Sequence, residues 1–207
     1  MLFKNSMRAQ FPLFNSHLEL AHLYWEKLVH KGDLVIDATC GNGQDTLILA
    51  QLCADLKGGL IYALDILPRA IELTQKYLYE KLPSVHFQRV RFILGCHSTF
   101  PEEIFPESVK LITYNLGYLP GGGDKTLTTT AKTTIESIKK AMLLLQPGGA
   151  ISITLYPGHP EGQCEEQSVL SLVEKLSPLE WSCSHHQWIN RHKKSPHLLF
   201  IQKRLVI

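Results

Sequence analysis

Between residues 34 and 156 the hydrophobic positions alternate between short β-rich runs and longer stretches at helical spacing. The short runs predict strands at 34–38, 60–65, 90–94, 109–115 and 150–156. The longer ones predict helices at 45–56, 67–81, roughly 97–105, and 131–145. Strand and helix in alternation predict an α/β fold with a mostly parallel sheet and crossover helices on both faces. Ahead of it, Ser16 and Glu19 have capping-box spacing, and Leu20, Leu23, Tyr24 and Leu28 recur helically until Lys31-Gly32-Asp33 stops them. Residues 1–32 therefore read as a helical lead-in. After a helix at 161–176 the rhythm changes. Two extended runs, 180–189 and 197–206, are separated only by 190–196 and predict an antiparallel hairpin at one edge of the sheet. No repeat or linker interrupts the pattern, so residues 1–207 read as one domain.

The strand ends carry the candidate chemistry. Residues 37–46, Asp-Ala-Thr-Cys-Gly-Asn-Gly-Gln-Asp-Thr, follow the first strand and open the first crossover helix. Gly41 and Gly43 permit a tight turn and close approach of a ligand, and helix-terminal amides favour an anionic group. Asp65 ends the second strand, 22 residues after Gly43, where a carboxylate accepts from both hydroxyls of a ribose. The ligand is then a nucleoside. A dinucleotide fingerprint wants a third glycine where Thr46 stands, which favours S-adenosylmethionine (SAM) over NAD.

His97, in the Gly-Cys-His that closes the third strand, is a candidate for the adenine side. After the fourth strand, Asn-Leu-Gly-Tyr-Leu-Pro-Gly-Gly-Gly-Asp-Lys-Thr spans 115–126. Asn115 offers a carbonyl to an amine, Tyr118 a ring to stack on a base, and Lys125 a contact to phosphate or carboxylate. His159 follows the fifth strand, where it either points at the substrate or, with Glu161, ties the turn to the next helix.

Composition adds two constraints. The five cysteines are odd in number, scattered and never spaced Cys-x-x-Cys, which favours reduced thiols over a disulfide or zinc framework. No segment reads as a signal or membrane span, so the expectation is a cytoplasmic protein without membrane or metal. Net charge is only +2, yet from Trp181 onward there are five Lys/Arg, four His and no acid. That end is either a polyanion surface or a solvated pair of strands.

With these stretches quoted, the chain resembles the MnmM-type methyltransferases from about His17 to the C-terminus, on residues 37–46, 115–125, 158–162 and 188–190. The Asn-Leu-Gly-Tyr-Leu-Pro run is the most distinctive part. The resemblance implies a class I Rossmann-like fold with seven strands and N-methylation of an aminomethyl group on a wobble uridine of tRNA. It departs from the family pattern at Gln44, at the longer glycine run 121–123, at Pro157 and at Lys193-Lys194. In this reading Asp37, Thr39, Gly41, Asn42, Gly43, Asp45, Thr46, Asp65, Ile66, His97 and Asn115 bind SAM. Asn115 and Tyr118 form the reacting site. Tyr118, Lys125, His159 and Arg191 meet the substrate, an anticodon region of tRNA, and a homodimer is a candidate assembly. The competing classes are a methyltransferase of the same fold acting on rRNA or a protein, and a non-catalytic nucleotide- or RNA-binding module.

Overall fold

The computed structural model describes residues 13–117 and 129–206. The chain runs α1 (His17–Leu28), β1 (Leu34–Asp37), α2 (Gln44–Cys53), β2 (Leu60–Asp65), α3 (Pro68–Lys81), α4 (Ser84–Phe87) and β3 (Val90–Leu94). It continues with β4 (Val109–Asn115), α5 (Ala131–Leu144), β5 (Leu145–Leu155), α6 (Pro160–Val173), β6 (Trp181–His186) and β7 (His197–Lys203). The seven strands form one sheet in the order β3-β2-β1-β4-β5-β7-β6. β1 to β5 are parallel, and the β6–β7 hairpin sits at the edge as the sequence predicts. Within it β7 is the inner strand and pairs antiparallel with β5, which leaves β6 as the outermost strand.

The period-two alternation of the strands feeds two cores. Val35, Leu111, Ala150, Leu198 and Phe200 face the layer of α1, α2 and α3, where Trp25, Leu49 and Leu78 are buried. Ile36, Ile112, Ile151, Leu199 and Ile201 face the layer of α5 and α6, where Ile138, Ala141 and Val169 are buried. Asn115 shares the parity of Leu111, and Tyr156 that of Ala150. Both are therefore delivered to the α1–α2 side at the carboxyl ends of their strands.

The capping box of α1 forms with a shift. Ser16 Oγ accepts from Glu19 N at 3.1 Å, while Glu19 Oε2 reaches back to Asn15 N at 2.7 Å, one residue earlier than the standard pattern. The helix expected at roughly 97–105 is absent, its residues forming turns. Pro101 removes an amide from its middle and disfavours helical geometry at Phe100, while Ile104 tucks into the core instead. The short α4 was not expected. β5 begins at Leu145, five residues before the predicted start, because α5 passes directly into it and a register shift opposite Val109 and Leu111 absorbs Pro147-Gly148-Gly149.

Trp25 is the apolar anchor of α1 on the sheet, at 2% exposure. Trp25→Ala should lower unfolding free energy by about 3–5 kcal/mol in chemical denaturation. A loss below about 1 kcal/mol would mean that α1 is held by its polar contacts alone.

Candidate active site

The chain order of the strands reverses between β1 and β4, and the crevice beyond their carboxyl ends is where open α/β sheets bind ligands. The first loop is folded onto itself there. Gly43 N donates to Cys40 O at 2.8 Å, Cys40 N to Leu64 O at 2.8 Å, and Gly41 N to the Asp65 carboxylate at 3.0 Å. Gly43 has φ +79°, and a Cβ there would lie 3.0 Å from Thr74 Cγ2 and 3.1 Å from Thr74 Cα on α3. Glycine at 43 is thus required by the left-handed turn and by packing against α3, rather than by ligand approach at that atom. α2 opens without a side-chain cap, leaving its N-terminal end to an external anion.

The acids expected at the cofactor are placed unequally. Asp37 is fully buried; its Oδ1 accepts from Thr39 N at 3.2 Å and its Oδ2 from Thr46 Oγ at 2.6 Å. Thr46 is buried as well, so its hydroxyl serves Asp37. Asp65 accepts backbone amides on both oxygens, Leu67 N at 2.9 Å and Gly41 N, which fixes the carboxylate at the crevice with second lone pairs remaining on each oxygen. Ile66 beside it is 65% exposed, an apolar surface at the crevice mouth, and Asn42 is exposed on the loop.

His97 lies on the other side of the sheet. Its ring packs edge-on against Tyr114 at 5.8 Å, its carbonyl accepts from Ser137 Oγ at 2.6 Å, and burial holds its imidazole down to about 4. Its Nδ1 has no hydrogen-bond partner among the described residues.

Asn115 is the centre of the reacting end. Its backbone amide donates to Thr39 Oγ at 2.7 Å and its side-chain Nδ2 to Asp45 Oδ2 at 2.7 Å. The other carboxylate oxygen of Asp45 lies 2.8 Å from His22 Nε2. A carboxylate only accepts, so the amide nitrogen of Asn115 must face it, and Oδ1 is left buried without a hydrogen-bond partner among the described residues. Beside it, Tyr156 Oη lies 3.4 Å from His17 Nε2 and the two rings pack edge-on. Burial pushes Tyr156 up to about 12, and the Asp45 charge adds to this. Burial holds His17 down to about 4 against the opposing Asp45 charge, with Arg191 and His22 lowering it further.

Three of these groups, His17, His22 and Tyr156, were not identified from the sequence as site residues. The two histidines sit in what reads as a lead-in helix, and nothing local distinguishes them. Glu165 was missed too. It looks like a solvent-facing acid of α6 but is buried, accepting from Thr129 Oγ and Thr134 Oγ. Thr129 in turn pairs with Gly117. Tyr118 and Lys125 lie outside the described residues.

His159 Nδ1 accepts from Gly162 N at 3.1 Å and caps α6, which ties the turn to that helix. Arg191, on the loop between β6 and β7, stacks its guanidinium 3.9 Å over Trp188 and donates to Asn15 O at 2.6 Å. Phe14 packs on the same indole at 5.7 Å. Elsewhere, Glu166, His185 and His197 bring potential metal-ligating atoms within 4.8 Å of one another. Within this group His197 Nε2 lies 3.0 Å from a Glu166 carboxylate oxygen and Nδ1 2.6 Å from His185 Nε2.

The matches to known proteins follow this geometry. A family profile described as "Putative rRNA methylase" matches residues 61–202. The chain belongs to this methylase family. It is 41% identical over 191 residues to the "tRNA (mnm(5)s(2)U34)-methyltransferase, chloroplastic" of Arabidopsis thaliana, covering 90% of this chain and 69% of that protein. Among solved structures, a "putative rRNA-methylase" from Clostridium thermocellum has a TM-score of 0.85 at 35% identity, covering 92% of this chain and 98% of the other. SMU.1697c of Streptococcus mutans, a "putative methyltransferase" in complex with SAH, has a TM-score of 0.79 at 30% identity, covering 92% and 99%. The chain is accordingly a SAM-dependent methyltransferase with the class I Rossmann-like fold. The uncapped end of α2 and the Asp65 carboxylate fit that cofactor. No helix among the described residues is long and apolar enough to cross a membrane.

The carboxyl of Asp37 gives this site a pH signature. Burial pushes it from its ordinary 3.8 up to about 7, the Asp45 charge adding to the rise while bonds from Thr46 and Thr39 oppose it. Because the folded value is the higher one, the stabilising contribution is complete below pH 3.8 and is lost as pH rises through about 7. A cationic cofactor favours the ionised form, so its binding should tighten over the same rise. Calorimetry and thermal melts across pH 6–8 check both slopes, and Asp37→Asn should flatten them. A wild-type affinity independent of pH would remove Asp37 from electrostatic contact with the cofactor.

Proposed function

We propose that this enzyme transfers a methyl group from SAM to the aminomethyl nitrogen of a wobble-position uridine in tRNA. The observation that carries the reading is the buried Oδ1 of Asn115 at the carboxyl end of β4, which has no hydrogen-bond partner among the described residues. A carbonyl oxygen held in place by its own amide accepts an N–H from the attacking group, which suits an amine acceptor. The tRNA methyltransferase from Arabidopsis thaliana, 41% identical, supports tRNA as the substrate.

The methionine end of the cofactor is assigned to the residues 41–46 turn with Asp37 and Thr39, the ribose to Asp65, and the adenine to Ile66 and the Gly95–His97 turn. Bound SAM supplies an electrophilic methyl on a sulfonium. The residues of the chain then align the amine and exclude water. The amine must be neutral to attack. If its pKa approached that of lysine, deprotonation at pH 7 would cost roughly 4–5 kcal/mol, and burial near a cationic sulfonium offsets much of this. Asn115 holds one N–H, which leaves the nitrogen lone pair to face the methyl. Tyr118 is assigned to stacking on the base, and Lys125 and the basic β6–β7 loop to phosphates around the anticodon. Five free cysteines, two of them deep in the core, favour a reducing, cytoplasm-like compartment.

Asn115→Ala should leave SAM affinity within a fewfold of wild type while kcat falls about 10²-fold or more. Purified enzyme, SAM and tRNA lacking the final methyl should give methylaminomethyluridine at the wobble position by nucleoside mass spectrometry. Methylation of rRNA or a protein in place of that tRNA would overturn the substrate assignment while leaving the fold and cofactor intact.

Arg191 is tied to Asn15 and Trp188, so Lys193 and Lys194, both exposed, test the polyanion surface without loosening that staple. Replacing the two lysines by alanine should reduce the slope of log affinity against log salt by at most about 1.4–1.8 units. An unchanged slope returns the loop to a solvated turn.

A further inference from the structure

The carbonyl of Asn115 is useful only in one of its two amide orientations. Rotated by half a turn, the side chain would present Nδ2 to the acceptor, and two donors would face each other across the reacting nitrogen. What selects the orientation is Asp45, whose Oδ2 takes Nδ2 at 2.7 Å. Asp45 lies in the first turn of α2, a helix positioned by the cofactor loop, and its side chain has rotamer freedom of its own. Its second oxygen is held from a different element: His22 Nε2, on α1, lies 2.8 Å from Oδ1. His22 is itself fixed by packing against Trp25, with ring centroids 4.8 Å apart, and Trp25 is the buried anchor of α1.

We propose that His22 is a positioning residue for methyl transfer. It holds Asp45 from α1, and Asp45 in turn keeps the Asn115 carbonyl directed at the acceptor amine. The chain His22–Asp45–Asn115 links three elements that are adjacent only in the folded protein, α1, α2 and the end of β4. The docking of the lead-in helix thereby becomes part of the acceptor site. The inference rests on the amine-acceptor reading above, but its structural half, the orientation of an amide by a histidine two bonds away, is measurable without turnover.

The geometry requires His22 to carry its proton on Nε2, since Asp45 offers only an acceptor. It also requires that the Asn115 side-chain amide sense the histidine. Nitrogen NMR of the full chain without cofactor reads both, through the ring tautomer of His22 and the side-chain NH₂ resonances of Asn115. The expected result is the Nε2–H tautomer in wild type, and displaced Asn115 resonances in His22→Ala. In kinetics with SAM and tRNA lacking the final methyl, His22→Ala should lower kcat about 10-fold. KM for tRNA and the dissociation constant for SAM should stay within about twofold. His22→Gln places an amide N–H close to the position of Nε2 and should recover most of the loss, which a merely space-filling histidine would not do.

A wild-type His22 protonated on Nδ1 with Nε2 bare overturns the proposal, even if every variant fails to fold. So does an unmoved Asn115 signal in His22→Ala, or a glutamine variant as slow as the alanine one. If instead the NMR coupling is present and the wild type leaves that tRNA unmethylated, the substrate reading fails and the positioning role of His22 stands.

Discussion

The site depends on the place where β1 and β4 lie side by side. Strands added after β1 build outward through β2 to β3, and the chain then returns to lay β4 on the other side of β1. The crossover helices on either side diverge there, and a crevice opens over the strand ends. Thr39, in the loop after β1, closes the seam by accepting the amide of Asn115 at 2.7 Å. Asp45 does the same one layer further out by accepting its side chain. A cofactor loop and an acceptor residue that are 70 positions apart are thereby held in one hydrogen-bonded unit.

Burial around that unit is uneven, and the unevenness is chemically useful. Asp37 lies beneath the loop with both oxygens satisfied, where desolvation raises its carboxyl into the neutral range. Asp65 lies nearer solvent, its carboxylate shaped by two backbone amides. Asn115 Oδ1 is buried with no hydrogen-bond partner among the described residues, a condition that costs about 1–3 kcal/mol.

The lead-in helix is more than packing material. Its face toward the sheet carries Trp25 for stability. Its first two turns carry His17 against Tyr156 and His22 against Asp45, while Asn15 just ahead of it is tied to Arg191 of the β6–β7 loop. The basic edge hairpin and the ends of β4 and β5 are therefore joined through the start of α1.

The fold class was legible in the sequence because it depends on local periods. β-rich runs of strand length alternate with helical spacing, and the late pair of extended runs has too short a connection for anything but a hairpin. The residues 37–46 turn and Asp65 were legible for the same reason, being fixed by position relative to a strand end. Where local pattern and local chemistry conflicted, as at Pro101 inside an apparently helical stretch, the proline decided. The partners were not legible. His17, His22, Tyr156 and Glu165 look ordinary in their own segments, and Glu165 looks exposed. Their roles come from neighbours 23 to 139 residues away, such as His22 with Asp45 and His17 with Tyr156. Sequence determined the elements and the residues at strand ends, since both follow from backbone geometry. Only the tertiary structure decided which side chains complete those ends, because hydrogen-bond partners and desolvation belong to the packed assembly and not to the chain.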